Sequence, residues 1–182
     1  GDNNYGDWLA VEGSDKSLTN SLYMAYDFRT FSTMARVIGK NDVADEYEAT
    51  CKKIVAAIMN KWGDVNGDLV VGTQTPLALF LHFGLAEMSD TANTKLIAKR
   101  LMENVEAHGW KLTTGFSGVN ALLPALSENG QMEAALRLLD QEDYPSWLYS
   151  VNQGATTTWE RWNSFTLDNG FGSAGMNSFN HY

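Results

Sequence analysis

The chain has 182 residues, 44% of them hydrophobic, and a formal net charge of −9. That is enough for one domain of ordinary size with a real core, and it excludes a disordered chain. A charge of this sign argues against a nucleic-acid partner, which needs a basic face, and is compatible with a neutral substrate such as a sugar.

No apolar run reaches the roughly 18 residues that a membrane helix needs. The stretch Leu77 to Phe83 is too short and lacks the flanking charges of a signal peptide. The lone cysteine, Cys51, allows no internal disulfide and leaves the compartment open. The chain starts at Gly1 and stops at "NSFNHY", which reads as an excised piece of a longer protein with any targeting signal outside it.

The first predicted helix runs from about Ser17 to Ile38, with Gly39 placed to end it. The next starts near Asn41 as N-cap and carries Tyr47, Cys51, Ile54, Ile58 and Trp62 on one face, followed by Gly63. Together they form an αα-hairpin. The linker "GDVNGDLVVGTQT" holds the turn signal Asn66-Gly67 and a short β-like run, Leu69 to Val71. Thr75 is placed to cap a third helix with Pro76 at its first position. That helix, Leu77 to Leu85, is apolar nearly all round and should be buried on most sides.

Its partner runs from about Asp90 to His108, with Ile97, Leu101, Val105 and His108 on one face and Gly109 ending it. A third pair follows, Gly118 to Glu128 and Gln131 to Asp140, joined at Asn129-Gly130. Pro124 should bend the first of these or mark its early turn. After Tyr144 no helical stripe remains, and the chain reads as loop with short strands, rich in Gly, Asn, Ser and Thr. Loops of this kind carry function more often than the helices holding them. Three hairpins in a row, unlike in sequence, predict an all-α fold: a solenoid or part of an α/α toroid.

Within the tail, "TTTWERW" sets Glu160 and Arg161 between Trp159 and Trp162. Apolar rings raise a carboxyl pKa by desolvation and a neighbouring guanidinium lowers it, which suits a general base. Flat aromatic faces stack on sugar rings. The same residues fit a Glu–Arg ion pair at the edge of a core, and local sequence leaves both open. "YGDWL" repeats the pairing with Asp7 beside Trp8. "QEDYPSWLY" adds Glu142 and Asp143, better read as helix-end acids, and the aromatics Trp147 and Tyr149. "DVNGD" has calcium-like spacing but Leu69 where the EF-hand loop needs Gly and Thr75 where it needs Glu, so it is a turn.

His82, His108 and His181 have no metal spacing. The first two fall in helical stripes as core or rim residues, which leaves His181 the better site candidate. Cys51 faces the core and is no nucleophile. No P-loop, GxGxxG or GxSxG motif is present.

Taken together, "YGDWL", "TQTPLAL", "TTGF", "LLPALSENG", "QEDYPSWLY", "GATTTWERW" and "MNSFNHY" resemble the bacterial α-L-rhamnosidases of glycoside hydrolase family 78, in the family's order and over essentially the whole chain. The resemblance implies αα-hairpins forming part of an (α/α)6 barrel of the six-hairpin glycosidase type. It implies cleavage of terminal α-L-rhamnose with inversion, on a rhamnose-containing glycoside or polysaccharide, without a cofactor and with no metal-ligating residue in this chain, although some members hold a calcium ion in other domains. It makes Glu160 the general base, His181 a sugar contact and Trp8 a wall of the rhamnose pocket, with Trp159, Arg161 and Asp7 near the pocket.

The family's general acid lies upstream of the "GDWL" region, and no motif supports Glu12, Glu128 or Glu142 in its place. An inverting glycosidase needs two carboxyl groups about 6.5–9.5 Å apart, of which Glu160 supplies one. The expectation is a single partial catalytic domain over residues 1–182: about three hairpins plus an active-site segment at 144–182. Such a half-toroid would expose apolar helix faces and self-associate, as a homodimer for example. Another (α/α)6 sugar-active enzyme and a non-catalytic carbohydrate-binding module are the alternatives.

Overall fold

The computed structural model describes residues 5–181. Tyr182, the last residue of the "NSFNHY" motif, lies outside them. Three helical hairpins follow one another: α1 (Lys16–Val37) with α2 (Asn41–Trp62), α3 (Gln74–His82) with α4 (Thr94–Ala107), and α5 (Val119–Glu128) with α6 (Met132–Leu139). Helix α3 packs against both α1 and α5, so the first helices of the three hairpins form one layer, and α4 and α6 meet in the layer behind. A 3-10 turn after α3 (Leu85–Met88), a one-and-a-half-turn helix, α7 (Trp147–Asn152), and a two-stranded antiparallel ribbon, β1 (Phe165–Thr166) with β2 (Gly170–Phe171), complete the described elements.

The third helix is the centre of the core. Gln74 through Leu81 are all buried, as its all-round apolar character predicts. Leu77, Leu79 and Phe80 meet Leu122 and Leu126 of α5 and Ile97 and Leu101 of α4 in one hydrophobic cluster. Each such side chain stabilises the fold by roughly 1.5–3 kcal/mol through burial. Cys51, Val55, Ile58 and Met59 of α2 close the cluster on the first hairpin, with Cys51 wholly buried.

Several helix starts differ from expectation, each because of the hydrogen bonds made there. Asp15 caps α1 by accepting from the Ser17 and Leu18 N–H groups. The end of α1 closes on itself, with Gly39 (φ 74°) and Lys40 donating to the Arg36 and Ala35 carbonyls. The chain re-enters helix at once, so Asn41 is the first helical residue rather than the cap. Thr75 does not cap α3: its hydroxyl is committed to the Asp7 carboxylate, and the helix starts earlier, at Gln74. Gln74 ties that start to the next linker, donating to the Lys111 carbonyl (3.0 Å) and accepting from the Thr113 N–H (2.8 Å).

Helix α4 begins at Thr94 and not near Asp90. Ser89 turns residues 91 and 92, and Asn93 accepts from the Leu96 N–H. Pro124 is the sixth residue of α5, well past its early turn. The β-like run after Asn66-Gly67 pairs only as a single bridge, Gly63 with Leu69. His82 is exposed rather than packed in a stripe.

The "DVNGD" segment is a turn, as expected. Asp64 Oδ1 accepts from the Asn66 and Asp68 N–H groups, both at 2.9 Å, and Asp68 is gripped by Arg100. Among the described residues no group of His, Cys, Asp and Glu is placed to hold a metal ion, and no helix is long and apolar enough to cross a membrane.

Helix α1 keeps one apolar face uncovered. Leu18, Leu22 and Ala25 are buried, while Met24, Phe31, Met34 and Val37 are exposed, Val37 at 82%. An amphipathic helix buries one stripe; α1 has a second.

Candidate functional site

The segment after α6 forms a wall against the loop between α4 and α5, and a cavity of about 640 Å³ opens between them. The wall comes from Trp147 of α7 and the run from Ala155 to Trp162. The floor comes from Gly115, Phe116 and Asn120 of the facing loop and α5, with Leu9 and His181 at the sides. Helix α7 is one element that periodicity did not predict: six residues are too few to show a stripe. Ser146, which accepts from the Tyr149 N–H at 3.0 Å, is its cap and its sequence signal.

Glu160 is half-buried in this wall and fixed to the chain's last described residues. Its N–H donates to the Ser178 carbonyl at 2.9 Å, and its Oε2 accepts from the Ser178 N–H at 2.7 Å. One turn of chain further, the His181 N–H donates to the Thr158 carbonyl at 2.8 Å. Residues 158–160 and 178–181 thus run side by side and carry Glu160 and His181 into the same cavity. The carboxylate has one oxygen held and no other protein hydrogen bond among the described residues.

Arg161 does not pair with Glu160. Its Nε donates to the Met176 carbonyl at 2.5 Å and its Nη2 to the Gly175 carbonyl at 2.6 Å. The ion-pair reading of "WERW" therefore gives way to two separate anchors on the 175–178 segment.

The two tryptophans differ. Trp162 is turned to the core: its Nε1 donates to the Thr114 carbonyl at 2.8 Å and its ring meets Trp147 edge-on at 5.6 Å. Trp159 belongs to an aromatic group with Phe179 (5.2 Å) and Phe165 (6.5 Å) on the ribbon side. The His181 ring stacks on Phe116, centroids 5.6 Å apart and planes at 25°.

Glu160, Trp159, Arg161 and His181 are therefore brought together on one cavity. Asp7 and Trp8 are not among its lining residues; Leu9 is the residue of that segment that reaches it. Asp7 is buried behind the floor. Its Oδ2 accepts from the Thr75 hydroxyl and the Gly115 N–H (2.7 Å), and its Oδ1 from the Ser117 N–H (2.8 Å) and the Gly118 N–H (3.2 Å). The Trp8 carbonyl accepts from the Phe116 N–H at 3.0 Å, and its ring lies edge-on to Tyr5. The N-terminal segment thus braces the loop that presents Phe116.

A Cβ at Gly115 would run into the Trp8 carbonyl and the Ala10 backbone, so the approach is open only to glycine there.

Sequence reasoning singled out neither Phe116 nor Asn120. Phe116 sits in "TTGF", whose glycine marks a close backbone approach. Asn120 lies four residues before Pro124, which has no N–H to offer its carbonyl. Of the other acids weighed, Glu12 lies 3.5 Å from His108, and Glu128 and Glu142 are exposed. None of these lines the cavity, and Glu160 is the one carboxylate that does among the described residues.

The layered helical hairpins, with an aromatic cavity and one carboxylate on their connecting segments, match a glycosidase-type helical domain. The comparisons agree on which. The sequence matches the bacterial alpha-L-rhamnosidase 6 hairpin glycosidase domain over residues 1–182, and the chain belongs to that family.

It is 39% identical over 193 residues to an alpha-L-rhamnosidase of Alteromonas sp. (strain LOR), covering 98% of this chain and 20% of that protein. A Streptomyces avermitilis alpha-L-rhamnosidase is also 39% identical, over 181 residues, with 98% and 17% covered. The crystal structure of a Streptomyces avermitilis alpha-L-rhamnosidase complexed with L-rhamnose superposes with a TM-score of 0.88 at 36% identity, covering 97% of this chain and 17% of that one. The alpha-L-rhamnosidase from Aspergillus terreus superposes at 0.86 with 33% identity, covering 97% of this chain and 21% of that one. The chain spans about a fifth of the length of the curated relatives it matches.

Proposed function

We propose that the chain is part of the catalytic domain of a longer α-L-rhamnosidase, an inverting glycoside hydrolase in which Glu160 is the general base. The rhamnose-containing glycoside binds in the 640 Å³ cavity, a size within the usual range for ligand sites. Trp159 and His181 flank the sugar, and Arg161 stands in the wall beside them. Asp7 and Trp8 belong to the same site from behind, through the loop that carries Phe116.

Glu160 takes a proton from a water, which attacks the anomeric carbon on the face opposite the leaving group. The transition state has oxocarbenium character, and a second carboxyl group protonates the departing oxygen. Glu160 is the one carboxylate lining the cavity among the described residues, which supports an acid supplied by a part of the protein outside this chain. Each proton-transfer role is worth about 10²–10⁴ in rate, so the chain alone is expected to be nearly inert. No cofactor takes part.

The observation that carries this reading is the state of Glu160. One carboxylate oxygen is held at 2.7 Å by a backbone N–H while the side chain lines a cavity flanked by Trp159 and the His181–Phe116 stack. A base needs that combination of fixed orientation and access to water. In the full-length enzyme Glu160→Gln keeps the shape and removes the base. Turnover of an α-L-rhamnoside should fall at least 10²-fold with substrate binding retained; unchanged turnover would remove Glu160 from the role.

The exposed apolar stripe of α1 supports one further reading, that the isolated chain self-associates through it.

A further inference from the structure

The geometry points to Arg161 as a positioning residue that sets Glu160 through the 175–178 turn, rather than as a ligand of the sugar; this rests on Glu160 being the base. The guanidinium fork closes on two consecutive carbonyls, Gly175 and Met176, at 2.6 and 2.5 Å. A planar fork suits such paired acceptors and an ammonium does not.

The segment it grips has little else to hold it. Residues 172–176 are exposed and outside any helix or strand, two of them are glycine, and Met176 has a positive φ of 52°. Besides the Ser178 bond to Glu160 Oε2, the other ties to the rest of the wall are the Gly172 N–H on the Ser164 carbonyl (2.9 Å), the longer Asn177 amide contact to the same oxygen (3.3 Å) and, at the turn's far end, the Glu160 N–H on the Ser178 carbonyl (2.9 Å).

Two residues beyond Met176 comes the Ser178 N–H that holds Glu160 Oε2. Adjacent residues 160 and 161 thus clasp one short turn at neighbouring points. Arg161 fixes the turn, and the turn fixes the carboxylate. Releasing the fork frees residues 175–177 and leaves Ser178 held only by its two bonds to residue 160, so its N–H can swing off the line that orients the base. Misplacement of a reacting group by about 1 Å costs on the order of 10²-fold in rate.

The test uses the full-length enzyme as wild type, R161A, R161K and E160Q. Steady-state kinetics on an α-L-rhamnoside are paired with hydrogen exchange of the backbone amides. The inference expects R161A to lose kcat by about 10²-fold with KM little changed. R161K should lie between R161A and wild type. Exchange should quicken at residues 175–178 and stay unchanged in α3 and α5.

A KM rise with kcat near wild type would make Arg161 a sugar ligand and overturn the inference. Wild-type exchange at 175–178 in both variants would overturn it as well, whatever Glu160 does. If R161A does not fold, R161K carries the same two readouts. E160Q separates the layers. An active E160Q removes the base reading while the exchange data still judge the clamp. A dead E160Q beside a fully active R161A removes only the inference about Arg161.

Discussion

Removing the Asp7 carboxylate should destabilise the domain far more than any surface charge. The buried carboxylate collects four protein donors among the described residues: the Thr75 hydroxyl and the N–H groups of Gly115, Ser117 and Gly118. Asp7→Ala leaves those donors facing a void. The hydroxyl can turn elsewhere and the Gly118 N–H keeps the Gly115 carbonyl at 3.3 Å, but the Gly115 N–H is buried and fixed by the backbone.

A buried donor left unsatisfied costs roughly 1–3 kcal/mol. Against a total stability of about 5–15 kcal/mol this is a large fraction. Asp7→Asn should also be costly despite its equal size, because its amide points hydrogens at N–H groups. Urea unfolding monitored by tryptophan fluorescence measures both variants, with the exposed Asp168→Asn as a control within about 0.5 kcal/mol of wild type. A loss below about 1 kcal/mol in Asp7→Ala, with unchanged m, would refute the claim that this carboxylate holds the loop.

Three further outcomes follow from named contacts. Gly115→Ala should destabilise through the clash with the Trp8 carbonyl and loosen the loop that presents Phe116, read as a lower thermal midpoint; an unchanged midpoint would show that the approach has slack. Burial pushes the Cys51 thiol above its ordinary pKa, so it should stay protonated and unreactive to a thiol reagent near neutral pH until the chain unfolds. Fast labelling of the native chain would contradict its place in the core. The isolated chain should show a mass above that of the monomer in light scattering at high concentration, and Met34→Glu with Val37→Lys should return it to monomer; a wild-type monomer throughout would count against self-association.

Much of the fold was legible because long helices announce themselves. The stripe through Cys51 and Ile58, the all-apolar run after Pro76 and the Gly39 and Gly109 stops place the paired helices to within a few residues. The helix starts were less legible because capping is decided by what else needs the side chain. Thr75 looks like a cap until Asp7, 68 positions away, claims its hydroxyl.

The same long-range logic hid the real role of the charges in the candidate site. Adjacent Glu160 and Arg161 read naturally as a pair, yet each reaches separately across to residues 175–178. Nothing in their spacing carries that information, since it depends on how the ribbon returns the chain. Trp8 and Asp7 look alike in their motif to Trp159 and Glu160, but they brace the cavity from behind instead of lining it. What identified the family was the order of several short motifs, no single one of which sufficed.

The central claim is that Glu160 activates water for hydrolysis of an α-L-rhamnoside. It is tested most directly on the full-length enzyme, wild type and Glu160→Gln, against a panel of chromogenic glycosides with the anomeric configuration of the released sugar followed by NMR. The account predicts hydrolysis of the α-L-rhamnoside alone, release of the β-anomer first, and at least a 10²-fold loss of turnover in the variant. Activity on a different sugar, release of the α-anomer, or a fully active Glu160→Gln would contradict it.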